Sequence, residues 1–267
     1  MRGISARSLD EVLTAVRAVE GASAAELGAQ LFGVVATLDG EPALRRVLTD
    51  PSTEAPAKAG LAQQVFGQQI SADALKVVQI AVSGRWASGR DLTDGLETAG
   101  VTAQVAAADS AGELDAVETE LFEVGRLVRS DAELRQTVSD RGLPAAAKGE
   151  LLSSLLRGKV SATTLALTVQ AAAARTGSFE RVLAAFGDTA AASRSRLLVE
   201  VKVAAELDES EKTRLAAALS SKYGRDVHLN IVVDPSLVGG IAVSVGDEIV
   251  DGTMSTRLEV ARRRLAG

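Results

Sequence analysis

Shifted by 90 residues, this chain matches itself: residues 31–96 align without a gap on residues 121–186, with 16 identities in 66 positions. A period of that length signals two copies of one supersecondary unit and has to be settled before any motif is read. The matched residues are chemically varied. Leu31-Phe32-x-Val34 falls on Leu121-Phe122-x-Val124, Leu44-Arg45 on Leu134-Arg135 and Asp50 on Asp140. Ala57-Lys58-x-x-Leu61 falls on Ala147-Lys148-x-x-Leu151, Ser71-Ala72-x-x-Leu75 on Ser161-Ala162-x-x-Leu165 and Arg85 on Arg175. The gapless register and the non-alanine matches favour duplication over the chance likeness of two Ala-rich stretches.

Each copy reads as a bundle of short helices. In the first, a helix over 7–20 precedes one over 23–38, where Ser23-x-x-Glu26 has the spacing of a capping box and Leu27, Leu31, Val34, Val35 and Leu38 form one apolar stripe. Further helices are expected over 41–48, 54–66, 72–85 and from Ser88 onward, divided by Asp39-Gly40, Asp50-Pro51 and Gly67. The second copy repeats the plan. Ser110-x-x-Glu113 is placed as the cap of a helix through Leu114, Val117, Leu121, Val124 and Val128, followed by helices over 132–138, 145–156, 162–175 and 178–193.

The pattern changes near Arg196. Leu197, Val199, Val201 and Val203 alternate with polar or outward positions, the period of a half-buried strand. Asp208 and Glu211 form a capping box for a helix carrying Leu215, Ala218 and Leu219 that ends at Gly224. A second alternation runs through Val227, Leu229, Ile231 and Val233. A third, Ile241, Val243 and Val245, turns at Gly246-Asp247 into Glu248-Ile249-Val250 as a hairpin. A last helix is expected over 253–265, with Met254, Leu258, Ala261 and Leu265 on one face. The fold class expected is therefore mainly α: two consecutive helical bundles, 1–108 and 109–195, followed by a small α+β module, 196–267.

Composition closes off several kinds of chemistry. With no cysteine and one histidine, His228, the 267 residues have no thiolate nucleophile, no cysteine-ligated zinc and no second imidazole for a His-based site. The net charge of −6 is spread along the chain without a polycationic segment, which argues against duplex nucleic acid as a partner. No apolar run reaches the roughly 20 residues of a membrane span, and residues 1–10 lack the apolar stretch of a signal peptide. Gly239-Gly240, Gly246 and Gly158-Lys159 lack the strand, loop, helix and Lys-Ser/Thr order of a phosphate loop, so they are read as turn glycines. Asp234, Asp247 and Asp251 are read as turn residues in preference to a metal or acid–base cluster. Trp86 is assigned to packing or an interface, Lys58 and Lys148 to helix surfaces, and Arg85 and Arg175 to helix C-termini, where cations suit the dipole. Arg262–Arg264 reads as a solvated face.

One run is specific enough to name a family. Asp234-Pro235-Ser236-Leu237-x-Gly239-Gly240, then Gly246-Asp247 and Asp251-Gly252, with Arg257-Leu258 after them, closely resembles the C-terminal signature of the delta subunit of bacterial F-type ATP synthase, whose mitochondrial relative confers oligomycin sensitivity. The likeness covers about residues 113–267, including Leu134, Lys148, Arg175, Val201-x-x-Ala204 and Tyr223-Gly224-Arg225. It implies a non-enzymatic stator subunit without a cofactor, present in one copy per complex. It further implies a helical bundle that grips the N-terminal helices of alpha subunits and a C-terminal module that holds the C-terminus of the b subunit. The implied location is the cytoplasmic face of the bacterial cell membrane, peripheral and without insertion. The family's usual subunit has one bundle. Residues 1–108 are then an added duplicate, and 109–195 the ordinary bundle. The alternative is a generic helical scaffold or regulatory adaptor that shares the C-terminal module.

Overall fold

In the computed structural model, which describes residues 3–19, 21–140, 142–173, 175–194, 197–205, 207–223, 227–233, 241–245 and 248–251, the 90-residue offset reappears in the helix boundaries. The first copy contains α1 (Ile4–Arg17), α2 (Ala22–Gly40), α3 (Pro42–Thr49), α4 (Ala55–Phe66), α5 (Ala72–Ser83) and α6 (Gly89–Ser110). The second continues with α7 (Leu114–Ser130), α8 (Ala132–Ser139), α9 (Ala145–Leu156), α10 (Ala162–Ala172) and α11 (Phe179–Arg194). Under the offset α3 and α8 share both bounds, as do α4 and α9. The pairs α5/α10 and α6/α11 start in register, and α2/α7 end in register.

Polar details repeat as well. Asp50 Oδ1 accepts from the Ser52 N–H at 2.8 Å, and Asp140 Oδ1 accepts from the Gly142 N–H at 2.8 Å. Ser71 and Ser161 cap α5 and α10 by accepting from the Ala74 and Thr164 N–H groups. The same two serines donate their own N–H groups to Gln30 and Glu120, each at 2.9 Å and each 41 residues away. Such local bonds satisfy backbone groups that a helix end would otherwise leave unpaired.

Except for the last residue of α11, these eleven helices fall in one compact unit, Met1–Ser193, yet they surround two apolar cores. The first gathers Val12, Val16, Leu27, Leu31, Leu38, Leu48, Phe66 and Val78, and the second gathers Leu114, Val117, Leu121, Val124, Val128, Leu152, Leu167 and Leu183. Helix α6 serves both. Leu92, Leu96, Ala99 and Ala103 belong to the first core, while Val101, Val105 and Ala108 belong to the second. At 100° per residue these two sets point to opposite sides of the helix. The sequence division between 108 and 109 thus falls inside α6, whose two apolar stripes join the bundles.

Helix α2 lies against α6 at very short range. A Cβ at Gly28 would stand 2.8 Å from the Gly100 carbonyl oxygen, and one at Gly100 would stand 2.6 Å from a Phe32 ring carbon. Gln104 seals this crossing by donating from Nε2 to the Ala25 carbonyl at 2.8 Å. At the other end Ser5 and Ser8, buried on α1, bond the loop before α6: Ser8 Oγ accepts from the Arg85 N–H at 3.0 Å and Ser5 Oγ accepts from the Ala87 N–H at 3.0 Å. Trp86 packs over Gly95, and its indole N–H donates to the Ala81 carbonyl at 2.7 Å, which gives it the packing role.

Several sequence expectations are corrected here. Neither helical-bundle capping box forms. Helix α2 starts at Ala22 with Gly21 at φ 60° as its N-cap, and Glu26 accepts from Gln30 instead. Ser110 sits in the last turn of α6, because the Ala-rich run 106–108 continues the helix. Gly112, at φ 70°, then turns the chain, with the Glu113 N–H reaching the Ala108 carbonyl and the Gly112 N–H reaching that of Asp109. Helices α5 and α10 stop at Ser83 and Ala172, so Arg85 and Arg175 lie in loops and not at helix C-termini. Lys58 and Lys148 are buried, at 5% and 8% exposure, where their aliphatic stems pack within the bundles.

The second compact unit, Arg194–Gly267, is the α+β module. Strands β1 (Leu197–Val203), β2 (Val227–Val233), β3 (Ile241–Val245) and β4 (Glu248–Asp251) form one sheet in the order β2-β1-β3-β4, with α12 (Glu209–Tyr223) between β1 and β2. β1 pairs parallel with β2 and antiparallel with β3, and β3 and β4 make the expected hairpin, Val245 opposite Glu248. The alternating residues meet as read: Val201, Val203, Val243 and Leu219 are buried, and Leu215, Val227, Leu229, Ile231 and Ile241 pack around them. The capping box of α12 forms in full, with the Glu211 N–H donating to Asp208 at 2.7 Å and the Asp208 N–H donating to Glu211 at 2.9 Å. The helix expected over 253–265 lies outside the described residues.

The tight α2–α6 crossing generates a paired expectation. Gly28→Ala should lower unfolding stability by about 1–3 kcal/mol through overpacking. Gly33→Ala and Gly60→Ala, at helical positions with nothing within 4 Å of the added Cβ, should raise it by up to about 1 kcal/mol through helix propensity. Chemical denaturation of the three variants checks both signs.

Candidate interaction surfaces

Most of the family-signature residues, Asp234, Pro235, Leu237, Gly239, Gly240, Gly246, Asp247, Gly252, Arg257 and Leu258, lie outside the described residues; Asp251 closes β4. The structure brings chemistry together elsewhere, in the helical unit. Arg175, from the loop after α10, reaches across to the first bundle and meets three carboxylates. Its Nη1 donates to Asp39 Oδ2 at 3.0 Å, its Nη2 to Asp94 Oδ1 and Glu97 Oε2 at 2.7 Å each, and its Nε to Asp94 Oδ1 at 3.1 Å. Gln170 of α10 adds a hydrogen bond to Glu97. Asp39 lies in the last turn of α2, where Arg45 also pairs with it at 3.2 Å, and Asp94 and Glu97 stand on α6.

One guanidinium here serves three carboxylates. For Arg175, burial works against the charge, but Glu97, Asp94 and Asp39 together outweigh it and raise the pKa. Burial dominates at Glu97, the least exposed of the three acids at 17%, and pushes its carboxyl above the ordinary value despite Arg175 and the Gln170 hydrogen bond. The deepest acid is therefore the one whose charge is undercompensated. Arg85, the repeat equivalent of Arg175, is exposed and makes no such cluster. The pair is matched in sequence and unlike in role, because only the second copy has another bundle beside its α10 loop.

A further candidate surface is a groove of about 380 Å³ between α7 and α11. Leu121, Phe122, Leu183, Ala184, Gly125 and Gly187 form its apolar part, and Phe122 is 63% exposed. Glu118, Glu180, Asp188 and Arg129 border it. Sequence reading placed Leu121 in a helix stripe and did not single out Phe122. The signal available was the 90-residue match of Phe122 with Phe32, since Phe32 packs against the second core. Among the described residues no helix is long and apolar enough to cross a membrane.

Residues 101–265 match the family described as ATP synthase delta (OSCP) subunit. The "ATP synthase subunit delta" of Streptomyces griseus is 46% identical over 91% of this chain and 90% of its own length. The protein of the same name from Kineococcus radiotolerans is 43% identical over 99% of this chain and 98% of its own, and that from Thermobifida fusca 41% identical over the whole of both. The matches to the last two extend over the first bundle as well as the second and the α+β module.

The charge cluster generates the second expectation. Arg175→Ala leaves the partly buried carboxylates of Glu97 and Asp39 without their cation, with Asp94 more exposed to water, and should cost about 2 kcal/mol of unfolding free energy, whereas Glu97→Gln, which keeps the shape and removes the undercompensated charge, should stay within about 1 kcal/mol of the parent. Because the folded-state pKa of Glu97 is raised, its contribution to stability is present below the ordinary value of 4.5 and lost as pH rises through the folded value. Glu97→Gln should remove that component from a stability–pH series measured by denaturation.

Proposed function

Because the chain belongs to the ATP synthase delta (OSCP) subunit family, whose members are non-catalytic components of the peripheral stalk, we propose that it links alpha subunits of the catalytic head to the b subunit so that the head does not turn with the rotor. The observation that carries this reading is the span of the family match, which takes in the second bundle and the α+β module together. In this reading 109–195 is the bundle that engages the N-terminal helices of alpha subunits, 196–267 holds the C-terminus of b, and 1–108 adds a second contact. The protein acts in one copy per complex, peripheral to the cytoplasmic face of the bacterial membrane.

The physics of the helical unit supports a part that bears load. A static link has to resist torque, and a helix common to two cores leaves no loop between them to bend. The groove between α7 and α11 includes the small residues Gly125, Ala184 and Gly187, and faces of that kind accept amphipathic helices through i, i+3, i+4 and i+7 anchors. The residues of the signature, Asp234 through Leu258, are proposed to shape the module's contact with the stalk.

The full chain, tagged and mixed with the purified head and with the soluble part of b, should retain both. A head whose alpha subunits lack their N-terminal segments should bind at least tenfold more weakly. Retention of neither partner by the intact chain overturns the assignment in favour of a generic scaffold, and ATP turnover by the isolated chain overturns both. Deleting residues 1–108 is a poor substitute for these tests, because it strips Val101, Val105 and Ala108 from the second core.

A further inference from the structure

We propose that the loop after α10 is held to α6 by a proton-dependent latch, tightest in mild acid and loosened as the pH rises, whereas the matching loop of the first bundle is held by neutral hydroxyls. The first bundle shows what such a latch does. There α1 carries Ser5 and Ser8, both buried, and these hold the loop after α5 by its backbone. Ser8 accepts from the Arg85 N–H at 3.0 Å and donates to the Arg85 carbonyl at 2.7 Å, and Ser5 accepts from the Ala87 N–H at 3.0 Å.

In the second bundle the place of α1 is taken by α6. Shifted by 89 residues, Val12, Val16 and Val19 at the first core fall on Val101, Val105 and Ala108 of the second. The same shift puts Ser5 on Asp94 and Ser8 on Glu97. These two again hold the loop that follows the fifth helix of their bundle, but by another kind of bond: with Asp39 of α2, they take the Arg175 guanidinium. A neutral attachment to backbone has been exchanged for an ionic attachment to a side chain. Serine hydroxyls do not titrate near neutral pH. Asp91, which accepts from Ser5 and Ser88 in the first bundle, is held below the ordinary carboxylate value by those bonds and stays ionised. Only the second latch therefore responds to protons.

Glu97 is the group that takes the proton. The charged groups that face it are Asp94 from its own helix, Asp39 from α2 and Arg175 from the loop; Arg45 of α3 reaches the cluster through Asp39, and α10 faces it with the uncharged amide of Gln170. Three carboxylates against two guanidinium groups leave one negative charge in surplus, which costs most at Glu97, the least exposed of the three. Burial accordingly lifts its carboxyl above the ordinary value despite Arg175. Gln170, itself buried, fits either state: its amide N–H donates to the carboxylate, and turned over its oxygen accepts from the acid. When the loop lifts, Glu97 loses its cover together with Arg175, and its proton affinity falls towards the ordinary value of 4.5. The latched form thus binds the proton more tightly, so the gain in latching is complete below 4.5 and is lost as pH rises through the latched value. The loop can lift without parting the bundles, because Thr176, Gly177 and Ser178 are exposed while Val101, Val105, Ala108 and Phe32 stay with the second core. None of this depends on the stator reading.

The sequence has no cysteine, so a nitroxide can be attached to the full chain at one chosen position. On Thr176→Cys, in the second loop, the mobile fraction of the label in the electron paramagnetic resonance spectrum should fall about twofold or more between about pH 8 and about pH 5.5. On Ala87→Cys, in the first loop, it should stay constant. Adding Glu97→Gln to Thr176→Cys should abolish the pH dependence and keep the loop held across the range, and adding Arg175→Ala should leave the label mobile throughout. Glu97→Gln keeps the side-chain shape, so the decisive comparison survives if Arg175→Ala does not fold. A Thr176 label whose mobility ignores pH, a pH response that persists with Glu97→Gln, or an equal response at Ala87 overturns the proposal.

Discussion

One helix with two apolar faces decides how the helical part of this protein is built. α6 is 22 residues long, about 33 Å. Leu92, Leu96, Ala99 and Ala103 commit one side to the first core; Val101, Val105 and Ala108 commit the opposite side to the second. Neither bundle is complete without it. The Gly28–Gly100 approach follows from the same demand, since a helix lined on both sides by cores leaves its neighbour α2 little room, and only glycine lets the backbones come so close. The Arg175 cluster then ties the α10 loop to α2 and α6 at the seam between the copies.

How much of this could be read in the residues depends on whether a feature is local or shared between copies. The helix boundaries within each copy follow from caps and breakers such as Ser71, Ser161, Asp50 and Asp140, which act over three or four residues, and these repeat in the structure. The strands of the α+β module were equally legible, because Val201, Val203, Leu229, Ile231 and Val243 alternate with a period of two and meet in one core. Arg175 was not legible. Its helix ends three residues earlier than the apolar pattern suggests, and its partners lie 78, 81 and 136 residues away. Nothing local distinguishes it from Arg85, and the difference exists only once the copies touch.

The two capping boxes that failed show a related limit. Ser23 and Ser110 have the right spacing to a glutamate, but a serine caps only where the chain leaves the helix. In each place a glycine makes that turn: Gly21 before α2 and Gly112 before α7, both at positive φ. Asp208 and Glu211 succeed because no glycine stands just before them and the chain arrives from strand β1, with no preceding helix to run on through the cap. Lys58 and Lys148 illustrate the same point for burial, since a long stem can pass through an apolar layer and charge alone does not place a residue on the surface.

The contact between the copies joins unlike faces: the α2–α6 side of one receives the α10 loop of the other. Such a head-to-tail arrangement has no symmetry that closes it, in contrast to a two-fold contact in which each partner satisfies the other. A duplication that packs this way always leaves one receiving face vacant at the far end, however many copies are strung together, in the manner of a solenoid whose last repeat must be capped by something else. The bare α7–α11 face is that vacancy. Internal duplication therefore lengthened the molecule without removing the outward face from which it could be built upon.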